Sequence, residues 1–158
     1  MKKILLLLSL SIFSSAHADN DVADWRKDST ADEKLEQLIS VIPSTSVIML
    51  QMGERYKNLY WAAKQGKWKF ANYQMEEMEQ LIDMLIITRP NREKTAMEFK
   101  NTVFSSMPEV VKSENWNTFK AGFENLRNAC MACHAKNDHS FITLPIPKSA
   151  NSPVLGMQ

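Results

Sequence analysis

The sequence predicts an all-α protein: an antiparallel four-helix bundle with a short extra N-terminal helix and an extended C-terminal tail. Glycine is scarce, at 4 of 158 residues, while Met, Leu, Lys and Glu are plentiful, and this balance favours helices over sheets. Apolar residues recur every three to four positions in several segments. Prolines and capping residues mark where those segments begin and end.

The first 18 residues read as a leader that is removed from the mature protein. Two lysines precede an apolar run at 4–13, and Ala-His-Ala at 16–18 supplies the small residues of a cleavage site, as in secretory signal peptides. The apolar run is shorter than a membrane span, so we expect export without stable membrane insertion. The full chain has a formal charge of +1. Loss of the two leader lysines makes it −1, which predicts no nucleic-acid partner.

The mature chain divides into three parts. Residues 19–43 hold a loose start and a short helix from about Thr30, which with Glu33 has capping-box spacing. Residues 44–141 form the bundle, and residues 142–158 form a proline-containing tail that is expected to be extended on the surface or disordered beyond about Lys148. The bundle helices are expected at about 44–65, 68–88, 92–106 and 113–136.

Each bundle helix carries its own signals and its own apolar face. The signals are Ser44 or Thr45 and Gly66 for the first helix, Pro90 after the second, Pro108 after the third, and Ser113 or Asn115 before the last. The expected buried faces are Met75, Met78, Ile82 and Leu85; Ala96, Phe99 and Val103; and Trp116, Phe119, Phe123 and Leu126.

The last apolar stripe continues into residues 130–134, which read C-x-x-C-H. Cys130 and Cys133 are the only two cysteines of the chain. This spacing is the attachment motif of a c-type haem: each thiol can add to a haem vinyl group, and the imidazole of His134 can bind the iron. Covalent attachment of this kind takes place outside the cytoplasm. The motif and the leader therefore both predict a periplasmic protein with one haem c.

Other uses of the two cysteines fit the sequence less well. A zinc site needs a fourth ligand, and the only other histidine of the mature chain is His139. A thioredoxin-like dithiol normally opens a helix after a strand, and the sequence has no strand pattern. A structural disulfide is strained at this spacing.

The second axial ligand of the iron is less defined by the sequence. His139 lies five residues from His134, too close to reach the opposite face, so methionine is the remaining common ligand. Met49 and Met52 lie one turn apart on the first bundle helix, and Met75 and Met78 on the next helix are weaker candidates. The alternative for each is that it fills core space. Arg55 is a candidate partner for a haem propionate, or else a solvated surface charge.

A secreted helical bundle with C-x-x-C-H in its last helix resembles the class II c-type cytochromes, the cytochrome c prime group and its low-spin relatives. The resemblance covers roughly residues 44–141. The runs at 49–55, 57–63 and 128–141, with Trp68 and Tyr73, are also similar to small monohaem periplasmic cytochromes. The resemblance implies that Cys130, Cys133 and His134 bind the haem and that Met49 is the sixth ligand. Such bundles can pair through two helices, which leaves a homodimer open.

Two functional hypotheses follow. The first is an electron carrier, not an enzyme, that moves single electrons between redox partner proteins. The alternative is a high-spin protein with an open distal site that binds nitric oxide or carbon monoxide. A peroxidase is a third hypothesis and has the least support, because no distal histidine is available as an acid–base catalyst.

Overall fold

The structure is a computed structural model that describes residues 24–151, and this part of the chain is all-α without a strand. The predicted signal peptide at 1–18 and the end of the tail at 152–158 lie outside it. The helices are α1 (Trp25–Asp28), α2 (Ala31–Ser40), α3 (Thr45–Lys64), α4 (Trp68–Thr88), α5 (Glu93–Val103), α6 (Met107–Lys112) and α7 (Trp116–Lys136), with a 3₁₀ turn at Pro90–Arg92.

Three of the predicted helix starts are confirmed by capping hydrogen bonds, whereas α4 and α5 begin without a side-chain cap. Thr30 and Glu33 form the expected capping box at the start of α2. The hydroxyl of Ser44 accepts from the main chain of the first turn of α3. The side chain of Asn115 does the same for α7. Gly66 follows α3 with a φ of +72°, a left-handed conformation that glycine adopts without a steric cost.

Two segments differ from the prediction. The third bundle helix ends at Val103, and a separate short helix, α6, begins at Met107. Pro108 lies in the first turn of α6, where a missing N–H costs no helical hydrogen bond. A proline expected only to end a helix therefore also begins one. In the segment expected to be loose, Asp24 caps the single turn of α1.

The chain divides into two compact units, one that ends at Val41 and one that begins at Ile42. The described part of the first unit holds α1 and α2, and none of their residues is buried. Among residues 24–151, no single helix is long and apolar enough to cross a membrane, although α2 and α3 taken together pass that test on length and composition.

The second unit has one continuous hydrophobic core. Helix α3 packs on α4 and α7, α4 packs on α5 and α6, and both α5 and α6 pack on α7. The predicted faces of α4, α5 and α7 are buried, except that Trp116 is only half-buried. Two polar side chains, Asn58 and Gln74, are buried as well.

Candidate functional site

The described part of the second unit contains a large apolar cleft. Its cavity volume is about 230 Å³, and the wider space out to its mouth, which includes open solvent, is about 1020 Å³. The walls come from four helices, the turn before α5 and the segment after α7. They are Thr45, Met49, Met52, Gly53 and Tyr56 of α3; Met78, Ile82 and Leu85 of α4; Arg92 of the turn; Thr95 and Phe99 of α5; Cys130, Cys133 and His134 of α7; and Asn137, His139, Ile142 and Leu144 of the segment that follows.

The C-x-x-C-H motif lies on the last two turns of α7. Cys130 continues the buried stripe of the helix and is 7% exposed, while Cys133 and His134 are half-buried. Both cysteines are free thiols. Burial raises the pKa of Cys130 to about 12 and also raises the pKa of Cys133, because a thiolate loses its hydration in an apolar wall. The motif therefore presents two neutral thiols to the cleft.

The imidazole of His134 faces a main-chain carbonyl of the tail. Its Nδ1 atom lies 3.4 Å from the oxygen of Ile142. A carbonyl oxygen can only accept, so Nδ1 carries the proton in this contact. In the neutral ring with this tautomer, the other nitrogen, Nε2, holds a free electron pair, as a metal ligand requires.

Helix α3 presents one face to the same cleft. Met49, Met52, Gly53 and Tyr56 have the spacing i, i+3, i+4, i+7, which places them on one side of a helix. Met52 is 7% exposed and belongs to the core, whereas Met49 is only half-buried. A Cβ atom built on Gly53 meets no heavy atom within 4 Å. The wall therefore has two thioether sulfurs beside an open space.

A polar cluster surrounds Cys133. The amide nitrogen of Asn137 lies 2.8 Å from the main-chain oxygen of Cys133 and 2.9 Å from Oγ1 of Thr95. Arg92 donates from Nη1 to the amide oxygen of Asn137 over 3.0 Å. This cluster joins the start of α5 to the end of α7, and it places one cation in the cleft wall.

Arg55 does not line the cleft. Its guanidinium donates to Gln74 and to Glu77 of α4, each over 3.2 Å, and lies 5.6 Å from the ring centroid of Tyr73. The structure therefore brings together Met49, Met52, Cys130, Cys133 and His134, and it holds Arg55 at the α3–α4 contact. Its pairing with a propionate stays a prediction.

His139 also lies in the cleft lining, in the turn after α7. Its Nδ1 contacts the main-chain oxygen of Asn137, and its ring centroid is 5.6 Å from that of Phe141. Within residues 24–151, no group of three or more His, Cys, Asp and Glu side chains is arranged to hold a metal ion.

Sequence reasoning missed several lining residues. A signal for Gly53 was available, since a glycine inside a helix costs about 1 kcal/mol relative to alanine and usually has a local reason. Arg92 and Asn137 are 45 residues apart, and no short motif links them. Ile142 and Leu144 lie in the tail, where no periodicity indicates which residues turn inward.

The site as a whole combines the two thiols, the imidazoles of His134 and His139 and the thioethers of Met49, Met52 and Met78 around an apolar space. Such a set suits covalent attachment of a flat apolar cofactor and axial coordination of its metal. Comparison with protein-family models, with curated proteins and with solved structures gives no match.

Proposed function

We propose that this chain is a periplasmic monohaem c-type cytochrome that carries single electrons between redox partner proteins. We also propose that α3, α4, α5 with α6, and α7 form an antiparallel four-helix bundle of the class II type. One observation carries the proposal: the C-x-x-C-H residues of α7 and the two methionines of α3 line the same cleft. These segments are about 80 residues apart in the chain, so no local pattern forces them together.

The residues of the cleft fit a c-type haem. The lining is largely apolar and includes Met78, Ile82, Leu85 and Phe99 as well as the motif. Gly53 has no side chain, and the space beside it is open. A flat group could therefore approach α3 closely at this position. In covalent attachment, the thiols of Cys130 and Cys133 would each add across a vinyl group, which would form one C–S bond and place the thiol hydrogen on the adjacent carbon. This addition would consume no oxidant.

When bound, the haem supplies a one-electron couple. Cys130 and Cys133 would hold it, and His134 would provide Nε2 as a ligand of its iron. Met49, or Met52 in its place, would provide a thioether as the second ligand, and a methionine ligand favours a higher reduction potential. The apolar walls act in the same direction, because they disfavour the additional charge of the oxidised state. Exchange with partners needs only small, short-lived contacts.

The test is to produce the full chain in cells with a c-type haem maturation system. We expect one covalently bound haem per chain, which survives acid extraction and gives a pyridine haemochrome spectrum. In the Cys130→Ala/Cys133→Ala variant, covalent haem should be absent. Wild-type protein without covalent haem would refute the proposal.

The open space beside Gly53 favours a second candidate function. If neither methionine coordinates the iron, that space leaves the distal side open to a diatomic gas. Spectra of the oxidised, reduced and carbon monoxide-treated protein separate the two candidates. A low-spin spectrum that does not change when carbon monoxide is added supports electron transfer. A high-spin spectrum that shifts with carbon monoxide supports gas binding.

A further inference from the structure

The segment after the turn that follows α7 is tied to the helices through its main chain. Three of its carbonyl oxygens each accept a hydrogen bond from a side chain of α7 or α3. The pairs are His134 Nδ1 with Ile142 (3.4 Å), Arg127 Nε with Leu144, and Tyr56 Oη with Pro145 (3.1 Å). The side chains of Leu144 and Ile146 pack against the core.

We propose that residues 142–146, which we call the strap, are a positioning element for His134. The inference rests on the proposed function, because it takes His134 as the iron ligand. The strap forms one wall of the cleft through Ile142 and Leu144. Its role is to hold the carbonyl of Ile142 against the imidazole, so that Nδ1 keeps its proton and Nε2 stays directed to the metal.

The contact between His134 and Ile142 is too weak to hold the ring alone. It is 3.4 Å long, beyond the usual length of roughly 2.7–3.2 Å for an N–H···O bond, and Ile142 is an exposed residue. The two neighbouring bonds supply the missing constraint. Arg127 fixes Leu144 to the middle of α7, and Tyr56 fixes Pro145 to α3.

The two anchors are therefore the positions to change. Tyr56→Phe removes only the hydroxyl and keeps the ring stacked on Phe123 at 4.6 Å. Arg127→Leu removes the donor and keeps an apolar stem. The matched controls are Tyr60→Phe, which removes a hydroxyl from the next turn of α3, and Glu124→Gln, which breaks the ion pair of Arg127 but leaves its Nε donor in place.

Two measurements test the strap in the Tyr56→Phe/Arg127→Leu protein. The first is the rate of chymotrypsin cleavage after Phe141 in protein without haem, followed by mass spectrometry. Loss of two hydrogen bonds should free the strap and accelerate this cut about tenfold or more. The second is the reduction potential of the haem-loaded protein. It should rise, because an imidazole that loses its Nδ1–H···O bond is a less basic ligand and stabilises the oxidised iron less.

The outcomes separate this inference from the proposed function. Wild-type protein without covalent haem refutes the proposed function, and the positioning role with it. Wild-type protein with haem, together with a variant whose potential equals that of the wild type and both controls, overturns the strap inference alone. Faster cleavage without a change in potential overturns it too, since the strap would then be a structural tether only.

Discussion

The guanidinium of Arg55 lies with Nη2 3.2 Å from the carboxylate of Glu77, which ties α3 to α4 away from the cleft. The side chains of both residues are roughly one quarter exposed, so the pair is partly shielded from solvent. Arg92, in contrast, stands in the cleft wall. We therefore expect Arg92, but not Arg55, to influence the reduction potential of a bound haem.

We predict that Arg92→Gln lowers the reduction potential of the haem-loaded protein, whereas Arg55→Gln leaves it unchanged. A cation near the iron disfavours the oxidised state, by an amount on the order of 1 kcal/mol for one electron at a partly exposed site. Removing Arg92 removes that effect. Redox titration in matched buffers measures both variants. A lower potential in Arg55→Gln would instead support the pairing of Arg55 with a propionate.

The close approach of α6 and α7 makes a second prediction, independent of any cofactor. A Cβ atom on Gly122 would lie 2.6 Å from Cγ1 and 3.1 Å from Cγ2 of Val110. Val110 is β-branched and has few alternative rotamers, so the helices must separate. We expect Gly122→Ala to lower the free energy of unfolding by about 1–3 kcal/mol, as measured by urea denaturation.

The control for this prediction is the Gly122→Ala/Val110→Ala protein. Shortening Val110 removes the atoms that the new methyl group meets, so the two changes should be non-additive, and the double variant should recover part of the loss. Purely additive losses would contradict the predicted clash.

The helices of this protein were predictable where the signals are local, and the site was predictable only in part. The start of α7 at Asn115, its buried stripe and the place of Cys130 at the end of that stripe follow from helical periodicity. Helix α6 was missed because Pro108 signals both an end and a beginning. The strap and the Arg92–Asn137 contact depend on tertiary packing between distant segments, which no spacing in the sequence encodes.

Met49 and Met52 should respond differently to replacement by alanine. If Met49 is the sixth ligand, Met49→Ala should convert the oxidised protein from a low-spin to a high-spin spectrum and admit carbon monoxide in the reduced state. Met52 is buried in the core. We therefore expect Met52→Ala to keep the low-spin spectrum and to lose about 2–4 kcal/mol of stability. An unchanged oxidised spectrum in Met49→Ala would contradict the assignment.

Substitutions of Gly53 distinguish an effect on folding from an effect on haem binding. Because a Cβ at this position meets nothing within 4 Å, Gly53→Ala should raise the stability of the protein without haem by about 1 kcal/mol, through helix propensity alone. Gly53→Leu should also fold, but its side chain would occupy the cleft beside Met49 and Met52. We expect normal helical circular dichroism with much less covalent haem. If Gly53→Leu kept the haem content of the wild type, the haem would not approach α3 at this position. That result would contradict the assignment of Met49 or Met52 as an iron ligand.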